Sequence, residues 1–171
     1  HFLHRQSVFH APYWSCFDAI QEIRRTKVDI LSYRDLMWPD YTEFVYTPFC
    51  IVAYVHNEKY AEIHFGEDGN MIEVFLFQSE IMIRKNIYDD RGFLSNTIIY
   101  ENNQPIYEQY LDGKGNWKLL HFFEDDHIEI NSENPYYLIG NKRFTFQSSN
   151  YNSMESLIEE VFSTYLDEMT S

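Results

Sequence analysis

Hydrophobic and polar positions alternate along much of this chain, and the alternation returns in step every 23 residues. The stretches "FGEDGNMIEVFLFQ" at 65–78, "YDDRGFLSNTIIYE" at 88–101 and "LDGKGNWKLLHFFE" at 111–124 repeat one pattern. Gly69, Gly92 and Gly115 are 23 residues apart, and so are Phe77, Tyr100 and Phe123. Each unit starts on a strand ("KYAEIHF", "MIRKNIY", "PIYEQYL"), turns at a glycine-containing loop and returns on a second strand ("MIEVFLF", "LSNTIIY", "WKLLHFF"). A hairpin loop with a bulge holds one residue at positive φ, where a Cβ clashes, so glycine is expected there. The second turn is polar ("QSE", "ENNQ", "EDD"). The period of 23 is therefore a hairpin with two strands and two turns.

Hairpins laid side by side make an antiparallel meander of at least six strands, roughly 25–30 Å across at a strand spacing of ~4.8 Å. Equivalent residues then fall on one face of every second strand, roughly 10 Å apart. Phe77, Tyr100 and Phe123 form such a row, and Tyr54, another 23 residues upstream, extends it. The middle unit carries Arg84, Lys85, Asn86, Ser95, Asn96 and Thr97 where the outer units carry Ile63, Val74, Leu119 and Leu120. A sheet buried on both faces shows continuous apolar runs, so part of this one is expected to face water.

The flanks read differently. "APYWSCFDAIQEIRR" places Tyr13, Cys16, Phe17, Ile20 and Ile23 at helical spacing and predicts a helix over about 12–25 opened by Pro12. A helical turn is expected at 32–37, with β-rich runs at 42–46 and 49–55 punctuated by Pro39 and Pro48. Short strands are expected at 127–130 and 143–147. The stripe Met154, Leu157, Ile158, Val161, Phe162, Tyr165, Leu166 and Met169 predicts a closing amphipathic helix, with Asn152 and Glu155 as its capping box.

Charge narrows the function. Thirteen basic against 27 acidic residues leave a net charge of -14, which disfavours nucleic acid and anionic membrane surfaces, since both are bound through Lys and Arg. No apolar run reaches the roughly 20 residues that cross a bilayer, and the opening residues do not read as a signal peptide. The chain opens on "HFLHRQSVFH" without Met, so a segment of a larger protein is expected. Two cysteines are too few for a disulfide framework and suggest a reducing, cytoplasmic setting.

Catalytic chemistry finds little support. The acidic pairs in "YDD" (88–90) and "EDD" (124–126) sit in predicted turns and read as solvated loop residues rather than metal ligands. His1, His4, His10, His56, His64, His121 and His127 show no zinc spacing. Cys16 and Cys50 read as packing residues, and the glycines open no phosphate loop. No catalytic residue, metal or cofactor is therefore assigned. The aromatics, 18 % of the chain, read first as sheet core. Phe77, Tyr100, Tyr107, Tyr110, Trp117 and Phe123 are also the candidates for partner binding, because aromatic stripes on a partly wet sheet can dock a polypeptide or a sugar.

The strings "FLHRQ", "YWSCFDAIQ", "WPDYTEFVYTPFCIVAYV", "AEIHFGEDGN", "YDDRGFLSNTIIYENNQPIYEQYLD" and "SMESLIEEV" together resemble one family. It is the first of the three accessory secretory proteins of the Gram-positive accessory Sec system, which exports serine-rich repeat adhesins. The resemblance implies an α+β fold: an extended antiparallel meander inserted in the first lobe of a two-lobed, GT-B glycosyltransferase-like protein. Residues 1–48 would be a helical and linking segment of that lobe, 49–148 the sheet domain and 149–171 a C-terminal helix that belongs to, or packs on, the lobe. It also implies a non-catalytic cytoplasmic protein that joins two sibling accessory proteins and engages the accessory motor ATPase and the adhesin. Two alternatives stay open: the acceptor-binding domain of an active GT-B glycosyltransferase modifying Ser/Thr-rich adhesins or teichoic acid, and a self-standing carbohydrate-binding domain.

Overall fold

A computed structural model describes residues 14–24 and 28–171. The first helix among the described residues, α1 (Cys16–Ile20), is shorter than expected. Its N-cap is Ser15, whose Oγ accepts from the Asp18 amide at 3.2 Å, and Glu22 at φ 53 ends the helical path. Pro12 lies outside the described residues. A 3-10 turn at Tyr33–Asp35 occupies the expected helical turn, closed by a Ser32 and Asp35 capping box.

Ten strands form one sheet: β1 (Thr42–Tyr46), β2 (Ile51–Val55), β3 (Glu58–Phe65), β4 (Met71–Gln78), β5 (Ile81–Asp89), β6 (Phe93–Glu101), β7 (Gln104–Leu111), β8 (Trp117–Phe122), β9 (Ile128–Ile130) and β12 (Asn150–Tyr151). They follow chain order from β1 to β9, with β12 on the far edge. All neighbours are antiparallel. The strand expected at 143–147 is β11 (Lys142–Thr145), which pairs instead with β10 (Tyr136–Ile139) in a separate hairpin. The closing helix α2 spans Met154–Thr170. Its cap is Ser153 rather than Asn152, with Ser153 Oγ accepting from the Ser156 amide at 3.1 Å.

The 23-residue period is a period of backbone defects. Gly69, Gly92 and Gly115 have φ of +83°, +91° and +89°. The intervening turns place His56-Asn57, Ser79-Glu80 and Asn102-Asn103 at positive φ, the signature of two-residue primed turns. Register shifts fall at Ala53/Tyr54, Leu76/Phe77 and Ile99/Tyr100 beside one set of turns. They fall at His64/Phe65, Ile87/Tyr88 and Tyr110/Leu111 beside the other. Each bulge adds right-handed twist.

Two rows of cross-strand partners show how the sheet is buried. On one face the pairing runs Ile63, Val74, Asn86, Thr97, Gln109, Leu120, Glu129. On the other it runs Glu62, Phe75, Lys85, Ile98, Glu108, His121, Ile128. The first row starts in a core, with Ile63 at 0 % and Val74 at 2 % exposure, and turns polar; the second starts charged and ends in a core at Ile128, 0 % exposed. Tyr33, Ile51, Ala53, Ala61, Ile63, Met71 and Val74 make the first core, flanked by Trp38 and Phe44. Ile20, Leu119, Ile128, Ile130, Tyr137, Leu157 and Val161 belong to the second, which joins both helices and the β10–β11 hairpin to the sheet.

The polar middle is partly as expected. Arg84 is exposed, but Asn96 and Thr97 are buried. Thr97 Oγ1 donates to Asn86 Oδ1 at 2.9 Å, and Asn96 Nδ2 donates to Glu108. Their polarity is met by neighbours on the adjoining strands.

Candidate interaction surface

Since the cores lie on opposite faces at opposite ends, each half of the sheet keeps one face without a packed layer among the described residues. Alternation from Phe75, Ile98 and His121 puts Phe77, Tyr100 and Phe123 on the second face, with Tyr54 in line, on every second strand. Tyr54, Phe77 and Tyr100 each lie beside a bulge whose extra residue, Tyr60, Ile83 or Ile106, is on the facing strand. Lys59 Nζ lies 4.4 Å from the centre of the Phe77 ring, and Phe123 meets His121 edge-on at 5.4 Å.

The other three candidates are not brought into this row. Tyr107 lies on the opposite face, its ring 5.6 Å from Phe122, which in turn stacks on His127 at 4.5 Å. Tyr110 is held beneath α1: Phe17 stacks on it at 5.8 Å, and it packs against the second core. Burial and the Glu108 carboxylate push its phenol well above the ordinary range. Trp117 is half-buried at the bulge opposite Leu111, and its carbonyl accepts from Asn131 Nδ2 at 2.9 Å. Phe122 and His127 therefore join Tyr107 on a surface that the sequence did not single out. The alternation of β8 carried that signal, since Phe122 is the odd partner of Phe123.

Charged groups fill the spaces between. Burial raises the Glu108 carboxyl above its ordinary value, against the hydrogen bonds from Asn96 and Tyr110. A carboxyl raised in the folded state gives stability that is complete below its unfolded pKa and is lost as pH rises through the folded one. Glu108→Gln should therefore flatten the decline of the unfolding midpoint between acid and neutral pH. Equal slopes for the two proteins would refute this. The Asp125 carboxylate, bonded to Nδ1 at 2.6 Å, holds His127 above its usual range. The acidic turns are engaged by neighbouring side chains: Asp89 pairs with Arg91, and Asp125 and Asp126 are hydrogen-bonded to His127 and His121. Burial pushes the Cys16 thiol up to about 12, which fits packing and not nucleophilic use.

One edge is also open. β1 has no strand on its outer side among the described residues, and Val45, Tyr46 and Phe49 beside it are exposed. Such an edge offers unpaired backbone groups to an added strand. No helix of the described residues is long and apolar enough to cross a membrane.

Comparison with known proteins fits these features. The accessory Sec system protein 1 (accessory secretory protein 1) of Streptococcus gordonii is 37% identical over 133 residues, covering 77% of this chain and 25% of that protein. The crystal structure of accessory secretory protein 1, 2 and 3 in Streptococcus pneumoniae contains a chain 30% identical, with a TM-score of 0.84 over 97% of this chain and 32% of that one. A GtfA/B complex bound to UDP and GlcNAc matches with a TM-score of 0.68 at 10% identity, covering 92% of this chain and 33% of that one. This last match speaks to fold alone. The chain spans a quarter to a third of the length of these proteins. The family model for this accessory Sec system protein matches residues 1–171. This chain is a member of the accessory secretory protein 1 family of the accessory Sec system.

Proposed function

We propose that this chain is the binding sheet of a non-catalytic, cytoplasmic component of the accessory Sec system. It holds sibling accessory proteins, and through them the motor ATPase and the serine-rich adhesin, before export. The lobe boundaries expected from the sequence, 1–48, 49–148 and 149–171, are part of this reading. The observation that carries it is the pair of cross-strand rows, buried at opposite ends and on opposite faces. A sheet built this way offers two separate surfaces to partners while each end keeps its own core. A relative solved together with accessory secretory proteins 2 and 3 supports the siblings as first partners.

The test is co-purification of the full-length protein with each sibling, the motor ATPase and the adhesin, one at a time. Phe77→Ser with Tyr100→Ser and Phe123→Ser removes the row on the second face, and Tyr107→Ser with Phe122→Ser removes the opposite patch. At least one set should weaken capture of a sibling by about tenfold or more, the scale of aromatic anchors at interfaces. Undiminished capture by both folded variants would overturn the reading. Transfer of sugar from a labelled sugar nucleotide by the full-length protein would favour the acceptor-binding alternative instead.

A further inference from the structure

The polar end of the second face holds a cluster that neither the aromatic row nor the cores use. The β2–β3 register places Ile51 opposite Ile63, so Cys50, at the end of the β1–β2 loop, comes beside His64. Glu62 and His64, two apart on β3, project from one face. The donor atoms of Cys50, Glu62 and His64 all lie within 4.8 Å of one another. Among the described residues this is the one such grouping. Its centre is chemically unsatisfied: His64 Nε2 is shielded from solvent and has no hydrogen-bond partner. Glu62 Oε2 is 4.0 Å away, too far for a hydrogen bond.

We infer that Cys50, Glu62 and His64 form a zinc site with a fourth position open. The donor set is a thiolate, an imidazole and a carboxylate, the three side-chain types that bind this ion. Zinc bonds of about 2.0–2.3 Å put tetrahedral ligands roughly 3.3–3.8 Å apart, so the present spacing closes by about 1.5 Å or less. The surroundings hold each ligand in place. Thr47 Oγ1 lies 3.7 Å from Cys50 Sγ and accepts from the Cys50 amide at 3.0 Å. Lys59 holds Glu62 Oε1 at 2.8 Å and leaves Oε2 turned to His64. Phe75 meets the His64 ring edge-on at 4.8 Å and fixes its plane. Binding releases the Cys50 thiol proton, so uptake weakens as the pH falls. The ion would tie the β1–β2 loop to β3 and stiffen the open edge of the sheet.

The site is tested on the full-length, tag-free, reduced protein, stripped with chelator and titrated with Co²⁺ and then Zn²⁺. A thiolate-to-cobalt absorption band that zinc displaces is expected, absent in Cys50→Ser and retained in Cys16→Ser. His64→Gln should weaken binding by at least about tenfold. In the unmodified protein, Zn²⁺ should slow alkylation of Cys50, read by mass spectrometry, also by at least about tenfold. This second measurement stands even if a variant fails to fold. Unchanged alkylation of Cys50 with zinc present, or a cobalt band that survives Cys50→Ser, overturns the site.

Discussion

Lys118→Ala should destabilise the protein by about 3–5 kcal/mol, the usual result of removing one member of a buried ion pair. The Lys118 side chain is 0 % exposed. Its ammonium donates to Glu22 Oε2 at 3.1 Å, Asn134 Oδ1 at 2.9 Å and the Tyr136 carbonyl at 2.6 Å. These bonds connect β8 with the chain leaving α1 and with the start of the β10–β11 hairpin. Burial lowers the Lys118 pKa and the Glu22 charge works against it. For Glu22, burial acts to raise the carboxyl, but Arg143 and Lys118 outweigh it and hold it below the ordinary value. Arg143 would still donate to Glu22 at 2.6 Å and 3.1 Å without Lys118, which keeps the cost towards the lower end of the range. Denaturant unfolding measures it. A loss under about 1 kcal/mol would show that these bonds do not hold the second core to the sheet.

Gly92→Ala should cost more than the same change at its two repeat equivalents. All three glycines have φ near +90°, and an L residue there costs about 1–2 kcal/mol. A Cβ on Gly69 or Gly115 meets nothing within 4 Å, whereas on Gly92 it would lie 1.9 Å from the Asp29 carbonyl oxygen. The segment crossing this turn is held by the Asp29 amide donating to the Arg91 carbonyl at 3.0 Å, and Leu31, two residues on, packs on the first core. Overpacking adds about 1–3 kcal/mol, for a total of about 2–5 kcal/mol. Thermal unfolding of the three variants side by side gives the comparison, with the Asp29 amide exchanging faster in Gly92→Ala. Equal shifts for all three would mean that the crossing segment moves aside without cost.

The ribbon itself was legible because its determinants are local. Glycine at positive φ, polar two-residue turns and alternation are written within each 23-residue window, so strands β3 to β8 follow from the chain alone. The helix expected over 12–25 is cut short: its apolar spacing continues through Ile23, but Glu22 takes positive φ and bonds to Lys118 and Arg143, which lie 96 and 121 residues away. The same non-local logic removes Tyr110 from the surface, since only the folded chain brings Phe17 over it. Phe77, Tyr100 and Phe123 could be aligned by counting, whereas the face each half leaves uncovered depends on where the helices dock. The grouping of Cys50 with His64 depends in turn on a hairpin register that no ligand spacing reveals.

The opposed burial of the two rows also makes this molecule a ruler. Its middle strands are stitched by their own turns and bulges, and they owe little to either end. Taking out or adding one 23-residue unit would therefore change the separation of the two anchored ends by one hairpin, about 10 Å, without turning either end over. Length along the ribbon is thus a variable that evolution could set in whole increments to match whatever spans it.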